Sequence, residues 1–259
     1  MDRTRVVMYL KRIGLNLNPD NLRPDFELLR KLQYAHVTTV PYENLDIIRR
    51  VPLELTFDAL YDKIVRRERG GYCFELNCAF NWLLRQLGYQ TQSCFARYLR
   101  GENDIPMRRH RVIIVTSPFI DGRALCDVGI GERAPRYPLK LEADTIQEQF
   151  GETYQFNEDD DFGWVLADLH EEKWGVFFAF TEEKQLEVDF KAISFWCEHS
   201  PESPFRSKLM VSIKTDLGRK TIADMSYKIF ESNGVTEHII ADQLELYRVL
   251  REEFGIISE

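Results

Sequence analysis

The chain has 259 residues, of which 44% are aliphatic, aromatic or cysteine and 29% are charged; that suits a globular protein with a sizeable core and excludes a disordered or fibrous one. Its net charge of −8 argues against a sequence-independent grip on nucleic acid or on an anionic membrane, so any anionic ligand has to find a local basic patch. Five scattered cysteines with no CxxC pair suggest neither a disulfide framework nor a metal site and read as the reduced thiols of a cytoplasmic protein, and no apolar run approaches the roughly 18 residues of a membrane span.

The opening MDRTRVVMYLKRIGL is basic and amphipathic and reads as a first helix rather than a transit peptide. Residues 25–36 carry Phe26, Leu29, Leu32 and Ala35 at helical spacing behind Pro24-Asp25. VPYENLDI and RVPLELT place a proline after a β-branched residue and read as extended or looped connections. A helix over 57–66 follows Thr56 as N-cap, and another over 74–87 ends at Gly88. Residues 1–88 thus form a helical segment.

From residue 89 the period changes to that of strands. YQTQSCFARYL, RRHRVIIVTS, RALCDVG, TYQFNE, WVLADL and WGVFFAF are short β-branched and aromatic runs between turn signals, and they predict an antiparallel sheet or small barrel over 89–199. After SPESPF come three more strands, KLMVSIKTD, GRKTIADM and SYKIFES, and an amphipathic helix over 241–255 closed by Gly255. Residues 200–259 are therefore a mixed module, and the fold class is α+β in three parts.

Cys73, in RGGYCFELN, stands at the start of the helix over 74–87, where free backbone N–H groups and the helix dipole favour a thiolate. Gly70-Gly71 would allow a close approach to the backbone, as a ligand requires. Glu75 works against the thiolate, so position alone leaves open a plain buried cysteine, the reading that suits Cys78, Cys94, Cys126 and Cys197.

A nucleophilic cysteine needs a base and a group to orient it. His36, His170, His199 and His238 read as surface or capping residues, whereas His110 opens the strand HRVIIV and Asp127 ends RALCDVG. A hairpin centred between Pro118 and Phe119 puts His110 opposite Asp127 on one face, although the Asp121-Gly122 turn signal lies later and leaves the register open. An aspartate holding one imidazole nitrogen frees the other to take the thiol proton.

RGGYCFELN, His110 and DVGIG at 127–131, with HVTTVPYENLDI at 36–47 and DKIVRRERGGYC at 62–73, resemble the arylamine N-acetyltransferase family over nearly the whole chain. The resemblance implies a helical bundle, an antiparallel β-barrel and an α/β lid, with a core like that of cysteine proteases and transglutaminases. It implies a cytoplasmic enzyme of xenobiotic metabolism that moves an acetyl group from acetyl-CoA, without a metal, to the nitrogen of an arylamine, hydrazine or N-hydroxyarylamine. On that pattern Cys73 is the nucleophile of a ping-pong mechanism through an acetyl-cysteine, His110 the base and later acid, and Asp127 the orienting carboxylate. Tyr42, Tyr72, Ile130 and Phe205 occupy positions that could line the acceptor pocket, with core packing as the other role open to them.

Two departures stand out. Ile130 replaces the family's usual phenylalanine, and Arg109 replaces its usual threonine. Arg109 lies between Arg108 and Arg111, a possible phosphate patch or a solvated strand edge. An amide hydrolase or other acyl transferase with the same three residues, and a non-enzymatic module of this fold that binds a partner or an aromatic ligand, are the competing classes.

Overall fold

Aspartates start the first two helices in the computed structural model, which describes residues 1–170 and 172–257. Asp2 accepts the Arg5 N–H at 3.2 Å ahead of α1 (Arg3–Arg12), and Asp25 accepts the Leu28 N–H at 2.9 Å ahead of α2 (Phe26–Thr39). The stretch around VPYENLDI, expected as a connection, contains a short strand, β1 (Tyr42–Glu43), and one helical turn, α3 (Leu45–Ile48). The helix expected over 57–66 begins as α4 (Phe57–Tyr61) behind Thr56 and widens into a π-helical turn, Asp62–Arg66. It leads to α5 (Cys73–Gln86), whose exit is turned by Gly88 at φ +93°.

α2 and α5 bury Leu29, Leu32, Leu76, Phe80, Leu83 and Leu84 in one core, together with Ile113 and Val115 of the following sheet. That shared core fixes the helices on the strands. His36 lies inside it, fully buried in α2, where it was expected at the surface; its Nε2 meets the Tyr9 hydroxyl at 3.1 Å.

The next eight strands are β2 (Gln90–Tyr98), β3 (His110–Thr116), β4 (Ala124–Cys126), β5 (Leu139–Lys140), β6 (Ile146–Gln149), β7 (Glu152–Asp159), β8 (Gly163–His170) and β9 (Lys173–Phe180). They form one antiparallel sheet in the order β5-β4-β3-β2-β9-β8-β7-β6, rolled into a nearly closed barrel around Phe156, Leu166, Phe178 and Phe180. Side chains bridge the gap between its edges. Gln147 bonds both the N–H and the carbonyl of Lys140 (2.7 and 2.8 Å), and Gln149 does the same for Tyr137 (2.6 and 3.2 Å), satisfying edge groups that would otherwise be open.

Two more helices, α6 (Phe190–His199) and α7 (Pro204–Ser207), lead into β10 (Met210–Lys214), β11 (Gly218–Ala223), β12 (Ser226–Glu231), β13 (Gly234–Ile239) and α8 (Gln243–Phe254). Neither α6 nor β13 was legible as such; β13 is an edge strand of exposed residues and carries no hydrophobic alternation to betray it. The second sheet runs β1-β10-β11-β12-β13, so its first strand comes from the helical segment, with Tyr42 opposite Ser212. α8 covers this sheet with Leu246, Val249, Leu250 and Phe254. Among the described residues no helix is long and apolar enough to cross a membrane.

Candidate active site

The glycine pair before Cys73 serves the protein's own backbone. A Cβ on Gly70 would stand 2.0 Å from the Pro41 carbonyl oxygen, and one on Gly71 would stand 2.9 Å from the Glu75 Cβ. The chain therefore lies flat against β1, with the Glu43 N–H on the Gly71 carbonyl at 2.9 Å, where the sequence suggested room for a ligand. Beneath it Lys63 contacts Glu75 and Asp46, each at 2.7 Å, and Arg69 contacts Glu43 at 2.7 Å and Asp46 at 3.0 Å. These buried charges are paired throughout, and Glu75 also accepts the Tyr72 N–H at 3.1 Å, which fixes the first turn of α5.

Cys73 is the first residue of α5 and is only 2% exposed. Its thiol donates to the Arg109 carbonyl at 3.7 Å. Burial pushes the thiol well above its ordinary pKa, and Cys197 and Asp127 act in the same sense; the Phe74 backbone N–H pulls the other way. The helix-start effect, worth about 0.3–1 kcal/mol, is smaller than the desolvation of a buried anion, so burial favours the thiol over the thiolate.

His110 opens β3 and Asp127 follows β4, and His110 Nε2 lies 2.6 Å from Asp127 Oδ2. The β3–β4 ladder pairs Ile113 with Cys126 and Val115 with Ala124, two residues away from the expected register. A shift of two keeps every side chain on its face, so the histidine and aspartate meet as diagonal neighbours instead of directly opposite partners.

Asn77, one turn after Cys73 on α5, holds this pair. Its amide donates to Asp127 Oδ1 at 2.9 Å and to the Arg111 carbonyl at 2.7 Å, and its oxygen accepts the Val128 N–H at 3.0 Å. The Gly129 N–H also donates to Asp127 Oδ1, at 2.8 Å, and Gln33 accepts the Asp127 N–H at 3.3 Å. A Cβ on Gly129 would stand 2.7 Å from the Cys73 Cα, so this loop presses directly on the start of α5.

Cys73, His110 and Gly129 face one cavity of 380 Å³, walled by Tyr42, Tyr98, Ile130, Phe205 and Met210. Tyr42, Ile130 and Phe205, named from the resemblance, thus line the cavity that Cys73 faces. Tyr72 does not: it is fully buried one layer back, its hydroxyl 2.6 Å from Ser194 Oγ and its ring edge-on to Phe205.

A family model described as N-acetyltransferase matches residues 25–258. The arylamine N-acetyltransferase of Mycolicibacterium smegmatis is 33% identical, over 96% of this chain and 90% of its own. The chain belongs to the arylamine N-acetyltransferase family. The Salmonella typhimurium protein named arylamine N-acetyltransferase / N-hydroxyarylamine O-acetyltransferase is 31% identical, over 90% of this chain and 83% of its own. The solved arylamine N-acetyltransferase of M. tuberculosis superposes with a TM-score of 0.91 at 31% identity, covering 97% of this chain and 93% of that one. The Mycobacterium marinum enzyme in complex with CoA gives 0.90 at 30% identity, covering 98% and 95%.

The α+β fold expected from the resemblance is thereby borne out, and as an arylamine N-acetyltransferase the protein is an acyltransferase. Its three clustered arginines behave unlike either sequence expectation. Arg108 reaches Glu183 at 3.5 Å, Arg109 pairs with Glu102, and Arg111 is fully buried, bidentate to Glu187 at 2.7 Å and over the Phe190 ring at 4.3 Å. Asn77, Gln33 and Glu102 were given no role from sequence. Only Asn77 carried a signal, since its position four residues after Cys73 sets both on one helix face.

Proposed function

We propose that the protein transfers an acetyl group from acetyl-CoA to the nitrogen of an arylamine, hydrazine or N-hydroxyarylamine, through an acetyl-Cys73 intermediate in two half-reactions. The observation that carries this is Cys73 sharing one cavity with a histidine that is held by Asp127. In the first half, Cys73 Sγ attacks the thioester carbonyl, the bond from carbon to the CoA sulfur breaks, and the thiol proton passes by way of His110 to the leaving CoA. In the second, the neutral amine attacks, the bond to Cys73 breaks, and His110 carries the amine proton back to sulfur. Asp127 on Nε2 fixes the tautomer that leaves Nδ1 for this exchange and supports the imidazolium.

A buried thiol whose pKa is raised by desolvation suits that sequence of events, because its proton leaves as the new bond forms. Flat, uncharged aromatic amines match a cavity walled by Tyr42, Tyr98, Ile130 and Phe205, and Ile130 gives a narrower wall than a ring would. The division into 1–88, 89–199 and 200–259 is proposed on the same grounds: the first part brings the nucleophile, the second the histidine and aspartate, and the third covers the cavity with Phe205 and β10–β11. A cytoplasmic location fits five unpaired thiols.

The test is mass spectrometry after mixing with acetyl-CoA and no acceptor. One acetyl group on the peptide bearing Cys73, absent in Cys73→Ala, is the expected result. Label on Cys78, Cys94, Cys126 or Cys197, or none at all, overturns the assignment.

A further inference from the structure

We propose that Glu187, paired with Arg111, is a positioning residue that locks the strand of His110 onto the helix of Cys73. The proposal rests on the mechanism given above and concerns what keeps its sulfur and imidazole in register. Arg111 immediately follows His110 on β3, and α5 grips it through both backbone and side chain. Its carbonyl accepts the Asn77 amide at 2.7 Å. Its fully buried guanidinium donates to both Glu187 oxygens at 2.7 Å, and the same oxygens accept from Cys78 Sγ at 3.2 Å and Asn81 Nδ2 at 3.3 Å, both on α5. Cys73, Asn77 and Asn81 stand four residues apart on one face of that helix, so the nucleophile and the two grips share a single stripe.

Glu187 itself belongs to neither element. It lies in the irregular segment 181–189 between β9 and α6, where its neighbours Leu186 and Val188 are 60% and 59% exposed. The segment therefore turns a carboxylate inward between two apolar side chains that face water, the reverse of what packing alone would select. Burial acts to raise the Glu187 carboxyl, and the Arg111 guanidinium more than offsets it, holding the group below the usual carboxylate range. Among the described residues Arg111 meets no other carboxylate; its remaining partners are Ser93 Oγ at 2.7 Å and the Phe190 ring. A buried guanidinium whose one counter-charge arrives on a separate segment draws that segment down, and the two-pronged contact fixes orientation as well as distance. The residue next to His110 is thus held to α5 twice, once directly and once by way of Glu187.

Alkylation of Cys73 by iodoacetamide reads the relation of sulfur to imidazole with no acyl donor present. Rates are followed at pH 7 on the full-length protein by mass spectrometry of the Cys73 peptide and corrected for the folded fraction, with His110→Ala giving the rate without an imidazole. Glu187→Gln leaves Arg111 charged and without its counter-charge in the interior, so both the unfolding temperature and the alkylation rate should fall. The double variant Glu187→Gln/Arg111→Met removes the buried charge, and its unfolding temperature should return close to wild type. A pair that served stability alone would then regain its alkylation rate, whereas a positioning pair leaves the rate about tenfold below wild type, towards that of His110→Ala. Wild-type alkylation in the double variant, or in folded Glu187→Gln, overturns the proposal and leaves the mechanism standing. A wild-type rate no higher than that of His110→Ala overturns the mechanism and this proposal together, so the two failures are told apart.

Discussion

Asn77 donates its side-chain amide to Asp127 at 2.9 Å from the same helix face that carries Cys73. One helix thus carries Cys73 and also holds the aspartate that meets His110. The tie joins the start of α5 to the loop after β4.

Replacing Asn77 by leucine keeps the volume and removes three buried hydrogen bonds, leaving the Val128 N–H and the Arg111 carbonyl without partners. A destabilisation of about 3 kcal/mol is expected from thermal or urea unfolding, with acetyl transfer falling further than the folded fraction does. Wild-type stability in this variant would refute the clamp.

Asp127→Asn preserves shape. Its oxygen can still accept from Asn77 and Gly129, and its new amide then faces His110 Nε2, forcing that nitrogen to accept and placing the ring proton on the wrong atom. Turnover should drop by about three to four orders of magnitude while circular dichroism and the unfolding temperature stay close to wild type.

Gly129→Ala inserts a methyl 2.7 Å from the Cys73 Cα and 2.8 Å from Asn77 Nδ2. The Cys73 backbone cannot yield without moving the start of α5, and the Asn77 amide can yield only by leaving Asp127, so a loss of about 1–3 kcal/mol is expected, with acetylation of Cys73 slowed more than tenfold. Stopped-flow detection of released CoA would reveal it.

His36 makes the protein acid-sensitive. Burial lowers its pKa from 6.5 to about 3, with Arg12 acting in the same sense. The unfolded chain therefore binds a proton below pH 6.5 that the folded chain refuses, and this contribution to stability, complete above pH 6.5, is lost as pH falls towards 3. Unfolding temperatures of the wild type and of His36→Gln, measured from pH 7 to pH 4, should show a shallower fall in the variant. Parallel curves would remove His36 as the cause.

Much of the site could be read from residue spacing. Cys73 after a glycine pair at a helix start, and His110 and Asp127 at the ends of neighbouring strands, are local patterns, and a hairpin argument placed the last two on one face despite a register error of two residues. The error was harmless because side chains in a strand repeat every second residue. Tyr72 beside Cys73 was less legible: the family resemblance put it in the pocket, yet its ring packs back towards Ser194 and Phe205. His36 closed a run of helical spacing and looked terminal, while the helix continues to Thr39 and buries it.

Sequence alone located most of the helices and strands and singled out Cys73, His110 and Asp127, because these depend on periodicity, caps and residue chemistry within a few positions. Tertiary structure decided which groups share the cavity, that Cys73 is buried, that Arg111 is buried against Glu187, and that β1 belongs to the distant second sheet. Those outcomes depend on desolvation and on contacts between residues far apart in the chain, and no local pattern encodes either.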